Sequence, residues 1–142
     1  MERINKILLA ILLCLFCTAP KALSESIDTT DLTTAQQISF SKCNKHYEIP
    51  AEKLFFLTLS SINANKFEII EIQSKTGYVL FKANNKEFLA TVVKIDDNRS
   101  LLKITPTDNI YFFPLGISEN FFKYIELNKD LSIETISPNE NN

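Results

Sequence analysis

Residues 67–106 contain four β-rich runs, FEIIEIQS, GYVLFKA, KEFLATVVKI and SLLKITP, separated by KT, NN and DDNR. Such short links leave no room for a crossover, so consecutive runs must lie side by side and antiparallel. This feature constrains the fold more than any other in the chain. A turn at Lys75-Thr76 sets Ile72 opposite Val79 and Ile70 opposite Phe81. A turn at Asn84-Asn85 sets Lys82 opposite Glu87 and Phe81 opposite Phe88. One sheet face then carries Ile70, Ile72, Val79, Phe81, Phe88, Ala90 and Val92. The other carries Ile69, Tyr78, Leu80, Leu89, Val93, Ile95, Leu102 and Ile104. Both faces are rich in apolar groups, whereas a half-exposed antiparallel sheet normally alternates apolar with polar.

Helices are expected on either side of these strands. PAEKLFFLTLSSINA, about Pro50 to Ala64, begins with a proline suited to the first turn and places Glu52 near the helix N-terminus. Phe55, Leu59 and Ile62 form one stripe. The same run also alternates like a strand, but its leucines and its proline start favour helix. ENFFKYIELN follows Ser118, a candidate N-cap, with Ile117, Phe121, Tyr124 and Ile125 on one face. The fold class expected is α+β, a four-stranded antiparallel meander flanked by an N-terminal and a C-terminal helix, α-β-β-β-β-α. In architecture alone this order resembles small α+β envelope domains, and no diagnostic motif ties it to a family.

The N-terminal segment sets the expected location. Arg3 and Lys6 precede an apolar run from Ile7 to Cys17 that Pro20-Lys21 ends. As a helix it covers about 16 Å, against about 30 Å of bilayer hydrocarbon. A basic start, a short apolar middle and small residues beyond match a secretory signal peptide, cleaved between Ser24 and Glu25. Bulky Leu13 and Phe16 precede Cys14 and Cys17, which disfavours lipid anchoring. Cleavage removes both cysteines and leaves Cys43 alone, so no internal disulfide is expected. It also removes Arg3, Lys6, Lys21 and Glu2, leaving 12 basic and 16 acidic residues and shifting the net charge from −2 to −4. The expected organisation is signal peptide 1–24, polar flexible lead-in 25–39, a single domain 40–136 and a disordered tail 137–142. FSKCNKHYEIP reads as an extended segment that pairs with or lies on the domain, and LSIETI as a short final strand; residues 38–49 or the stretch Leu131 to Ile136 are the chain's own candidates to cover the second sheet face.

Motifs for chemistry are sparse. With two glycines in 142 residues and neither GxGxxG nor GxxxxGK[ST], the nucleotide-binding fingerprints are missing. An acidic chain without a basic stripe points away from nucleic acid. His46 lies three residues after Cys43, which would suit a Cys–His pair on a helix, but the segment reads as extended. Only Glu48 is near enough in sequence to join them on a metal. Asp96-Asp97 reads as a turn, Glu68 and Glu71 as residues on opposite sheet faces. Asn98-Arg99-Ser100 fits a glycosylation acceptor. The phenylalanines of NIYFFPLGI and ENFFKYIEL read as core, or as a lipid pocket between helix and sheet.

The function expected is that of a small exported, non-enzymatic domain. It would act through protein-protein contacts in the cell envelope or outside the cell, without cofactor or metal. The candidate interaction surface is Ile69, Tyr78, Leu80, Leu89 and Val93, facing a protein partner or a second copy. The alternative is a carrier of a lipid or other apolar ligand held between helices and sheet.

Overall fold

The computed structural model describes residues 31–131. The expected signal peptide with its Ser24–Glu25 cleavage site, the strand LSIETI beyond Leu131 and the tail 137–142 lie outside the described residues. The elements run β1 (Ala35–Gln37), a single-turn 3-10 helix (Phe40–Cys43), β2 (Asn44–Tyr47), α1 (Ala51–Ala64), β3 (Glu68–Gln73), β4 (Tyr78–Ala83), β5 (Lys86–Lys94), β6 (Ser100–Pro106), β7 (Phe112–Pro114) and α2 (Gly116–Asn128).

The protein is α+β with two helices, as the sequence implies, but the sheet is larger than a four-stranded meander. Strands β3 to β6 form the expected meander, and β2 joins it beside β6 to give the order β2-β6-β5-β4-β3. A separate two-stranded ribbon pairs β1 with β7. The end of the polar stretch 25–39 is therefore part of the folded unit, with Ala35–Gln37 in the ribbon and Ile38 buried behind it. Both additions pair residues far apart in sequence, where turn signals give no warning.

The hairpins follow from local chemistry. Asn84 and Asn85 take φ +48° and +62°, the left-handed pair that a two-residue hairpin needs and asparagine tolerates. The pairs Ile72–Val79, Phe81–Phe88 and Lys82–Glu87 stand as expected. Two expectations of register fail. A bulge between Ile69 and Glu71 makes Ile69, not Ile70, the partner of Phe81, because one extra residue reverses the side faced by the residues on the far side of the bulge from the turn, here Glu68 and Ile69. Across the five-residue loop Ile95–Arg99, Leu102 pairs with Val92 and Ile104 with Ala90. Both therefore point into the core with no exposed surface, not onto the opposite face.

Helix α1 packs on the sheet through Leu54, Phe55, Leu57, Thr58, Ser61 and Ile62, with the Thr58 hydroxyl returned to the Leu54 carbonyl at 2.8 Å. The helical reading of this segment is thus the right one of the two. It ends in a Schellman turn: the Phe67 amide reaches the Ile62 carbonyl and the Lys66 amide reaches that of Asn63, with Lys66 at φ +57°. Helix α2 begins at Gly116, ahead of Ser118. The serine is therefore no N-cap; it is buried in the first turn, its hydroxyl 3.3 Å from the Leu115 carbonyl. Ile117, Phe121 and Ile125 form the buried stripe of α2.

Between helices and sheet the space is filled by rings. Phe81 lies 5.8, 5.5 and 5.1 Å from Phe67, Phe88 and Phe121, and Phe113 closes edge-on against Phe88 at 5.0 Å. Tight aromatic packing of this kind contributes beyond its buried area.

Candidate functional site

The helices and the sheet register make the two sheet faces unequal. Along β4 and β6, buried residues alternate strictly with half-buried ones. The buried set faces the helices. The other set forms an outer face, and its lateral neighbours follow from the pairing. Leu80 stands opposite Leu89, Val93 opposite Leu101, and between these pairs run Tyr78, Thr91 and Lys103. His46 and Asn44 continue the face onto β2. At this margin the Lys103 ammonium sits 5.9 Å from the ring of Phe40, a cation–π contact.

Tyr78, Leu80, Leu89 and Val93 thus share one face, as expected from sequence. Ile69 does not join them: the bulge places it on the Phe81 side, at the sheet edge and 40% exposed. Sequence reasoning missed Leu101, which the five-residue β5–β6 loop brings beside Val93. Its only signal was alternation with Leu102, and that alternation carries no register by itself.

Among the described residues strand β3 ends the sheet, and all six of its residues are exposed. The Glu71 carboxylate accepts from the Tyr78 hydroxyl at 2.9 Å and from the Gln73 side-chain amide at 3.0 Å. That bond holds the Tyr78 phenol above its usual range, by the hydrogen bond first and burial second. The opposite edge is closed in differently. Tyr47 on β2 is buried, and Lys45 beside it bridges to Glu126 of α2 at 2.9 Å.

A groove of about 520 Å³ lies between the first turn of α1 and the β3–β4 loop. Phe55, Phe56 and Val92 give it apolar walls, and Glu52, Lys75 and Lys94 also line it. Phe56 is 48% exposed.

Cys43 and His46 do not form a reacting pair. Cys43 is fully buried, with its thiol toward the Ser39 carbonyl at 3.8 Å, and burial pushes it up to about 11. A thiol held protonated in this way is a poor nucleophile. His46 is exposed on the outer face. Among the described residues no cluster of three or more His, Cys, Asp or Glu side chains has a metal-binding arrangement. Asp96 and Asp97 build the β5–β6 turn. Asp96 accepts from the Asn98 amide at 3.0 Å and from Arg99 at 2.6 Å, and Asp97 pairs with Lys94 at 2.6 Å. The Asn98-Arg99-Ser100 triplet ends in a buried serine whose hydroxyl donates to the Ile49 carbonyl at 2.7 Å. No helix among the described residues is long and apolar enough to cross a membrane.

Comparison with known protein families and with curated proteins finds no match.

Proposed function

We propose that this protein is an exported, non-enzymatic domain that works by holding a protein partner against its sheet, in the cell envelope or outside the cell. The observation that carries this reading is the outer face. Both helices and the phenylalanine core lie on the other side, leaving the Leu80–Leu89 and Val93–Leu101 pairs with Tyr78 half-buried or exposed. Apolar groups grouped on an open surface are a usual mark of a contact site. The basic, short apolar N-terminus supports export.

A photoreactive side chain at Leu80 or Leu89, introduced in the native host, should give a discrete higher-mass adduct. The same probe at exposed Asn63 on α1 should give none. Equal labelling at all three positions, or no adduct from a folded protein, would contradict the proposal.

The second reading, an apolar-ligand carrier, draws on the groove walled by Phe55, Phe56 and Val92. A carrier should purify with lipid visible by mass spectrometry and gain heat stability from it. Protein that is lipid-free and insensitive to added fatty acid sinks this reading.

A further inference from the structure

We propose that the free edge of β3 is a docking strand for an extended segment of another polypeptide. That segment would alternate apolar with polar residues and carry a lysine or arginine opposite Glu71. The proposal rests on the contact function above and assigns it a second surface with a defined partner chemistry.

Among the described residues β3 has one neighbour, β4, so alternate backbone N–H and C=O groups point away from the sheet. Its six residues span about 20 Å, enough for a peptide to add one strand by backbone hydrogen bonding. Natural edges are commonly shielded by shortness, proline, lysine or cover from another element. The β2 edge has such protection: four residues, Tyr47 buried, and Lys45 bridged to Glu126 of α2. The sequence of β3, EIIEIQ, has neither proline nor lysine. Its bulge disturbs the pairing with β4 at one point, yet Ile69, Ile70 and Ile72 remain 40–48% exposed.

Charge selects the occupant. The strand carries two carboxylates and no cation, and Glu71 is fixed at the edge by Tyr78 and Gln73. A second copy added to the same edge would gather four carboxylates in one short ribbon, an unfavourable like-charge arrangement. A strand with apolar residues beside Ile69 and Ile72 and a cation opposite Glu71 satisfies both features.

The test uses isotope-labelled intact protein, a nine-residue peptide alternating valine with lysine, and the same peptide with glutamate for lysine. In the free protein the outward-pointing β3 amides should exchange rapidly with solvent. The lysine peptide should protect them and shift resonances along Glu68–Gln73. Glu71→Lys should weaken that peptide about tenfold and let the glutamate peptide bind instead. Edge amides already protected in the free protein would overturn the proposal. Sedimentation would then show whether a second copy or the chain's own residues fill the edge. Absence of protection at millimolar peptide, or indifference to Glu71→Lys, would overturn it too. Failure at β3 with crosslinks still forming at Leu80 and Leu89 removes the edge site alone and leaves the contact face standing.

Discussion

Val79, Phe81 and Ala83 alternate along β4 with Tyr78, Leu80 and Lys82. The first three are buried under the helices; the second three, on the same six residues of backbone, are only half-buried. Two faces built from one strand thus have different physical roles. The inner face is sealed by side chains from α1, α2 and the β1–β7 ribbon, with Phe121 and Phe113 packing rings against Phe81 and Phe88. On the outer face Leu80, Leu89 and Leu101 are half-buried and Val93 is 40% exposed. The difference shows that apolar content alone does not identify a core. What identifies it is the presence of a second layer.

The largest test of that contrast is a pair of truncations one residue apart. Phe81→Ala removes the ring on which Phe67, Phe88 and Phe121 converge and should cost about 3–5 kcal/mol. Leu80→Ala should cost under about 1 kcal/mol, because little of its surface is lost from a packed layer. Denaturant unfolding of both measures this directly, and equal losses would erase the distinction between the faces.

Gly77 anchors the inner face at the β3–β4 loop. It takes φ +73°, and a Cβ there would sit 2.7 Å from the Val92 carbonyl oxygen, which is backbone and does not yield. Gly77 also accepts the Val92 amide at 2.7 Å. Gly77→Ala should cost about 1–3 kcal/mol, read as a lowered unfolding midpoint. A neutral result would mean that the loop relaxes away from β5.

Two substitutions should stabilise. Tyr47 on the inner face is buried with its hydroxyl unpartnered among the described residues. Removing an unpaired buried polar group recovers its desolvation cost, so Tyr47→Phe should gain about 1 kcal/mol. Lys66 holds the left-handed position of the Schellman turn, where glycine is free of Cβ strain. Lys66→Gly should gain up to about 1 kcal/mol, and a loss in either variant would reveal a contact that the packing does not show.

The smallest effect is pH-dependent. Lys129 first, then Lys45, hold the Glu126 carboxyl below its usual range. A carboxyl depressed by folding adds stability above its unfolded pKa and loses that contribution as pH falls through the folded value. The α2–β2 link should therefore weaken below about pH 4.5, and Glu126→Gln should flatten the acid limb of the stability curve slightly. The three groups are partly exposed, so solvent screening keeps the effect small.

The legible parts of the fold were those set by neighbouring residues. Asn84-Asn85 dictates a hairpin because both residues adopt positive φ readily, and the register of Phe81 with Phe88 follows. Helix α1 was legible from its proline start and its leucines. Strand β2 was legible as an extended segment but not as the partner of β6, because Asn44–Tyr47 pairs with Ser100–Lys103 across more than fifty residues of chain. The β1–β7 ribbon is equally remote in sequence. The bulge at Ile70 and the length of the β5–β6 loop are single-residue matters, yet they moved Ile69, Leu102 and Ile104 across the sheet. Of the outer face, Tyr78, Leu80, Leu89 and Val93 were readable because the two inner hairpin strands carry them. Leu101 became visible only with the β5–β6 register.

If the outer face is surface held for a partner and not core held for the fold, it should tolerate charge. Thermal unfolding of the purified Leu80→Lys/Leu89→Lys double variant tests it most directly. Its midpoint should lie within a few degrees of the unaltered protein, since lysine stems can lie along an open sheet while their charges stay in water. A fall of more than about 15 °C, equivalent to several kcal/mol in a domain of this size, would contradict it. It would mean that the protein's own residues bury that face.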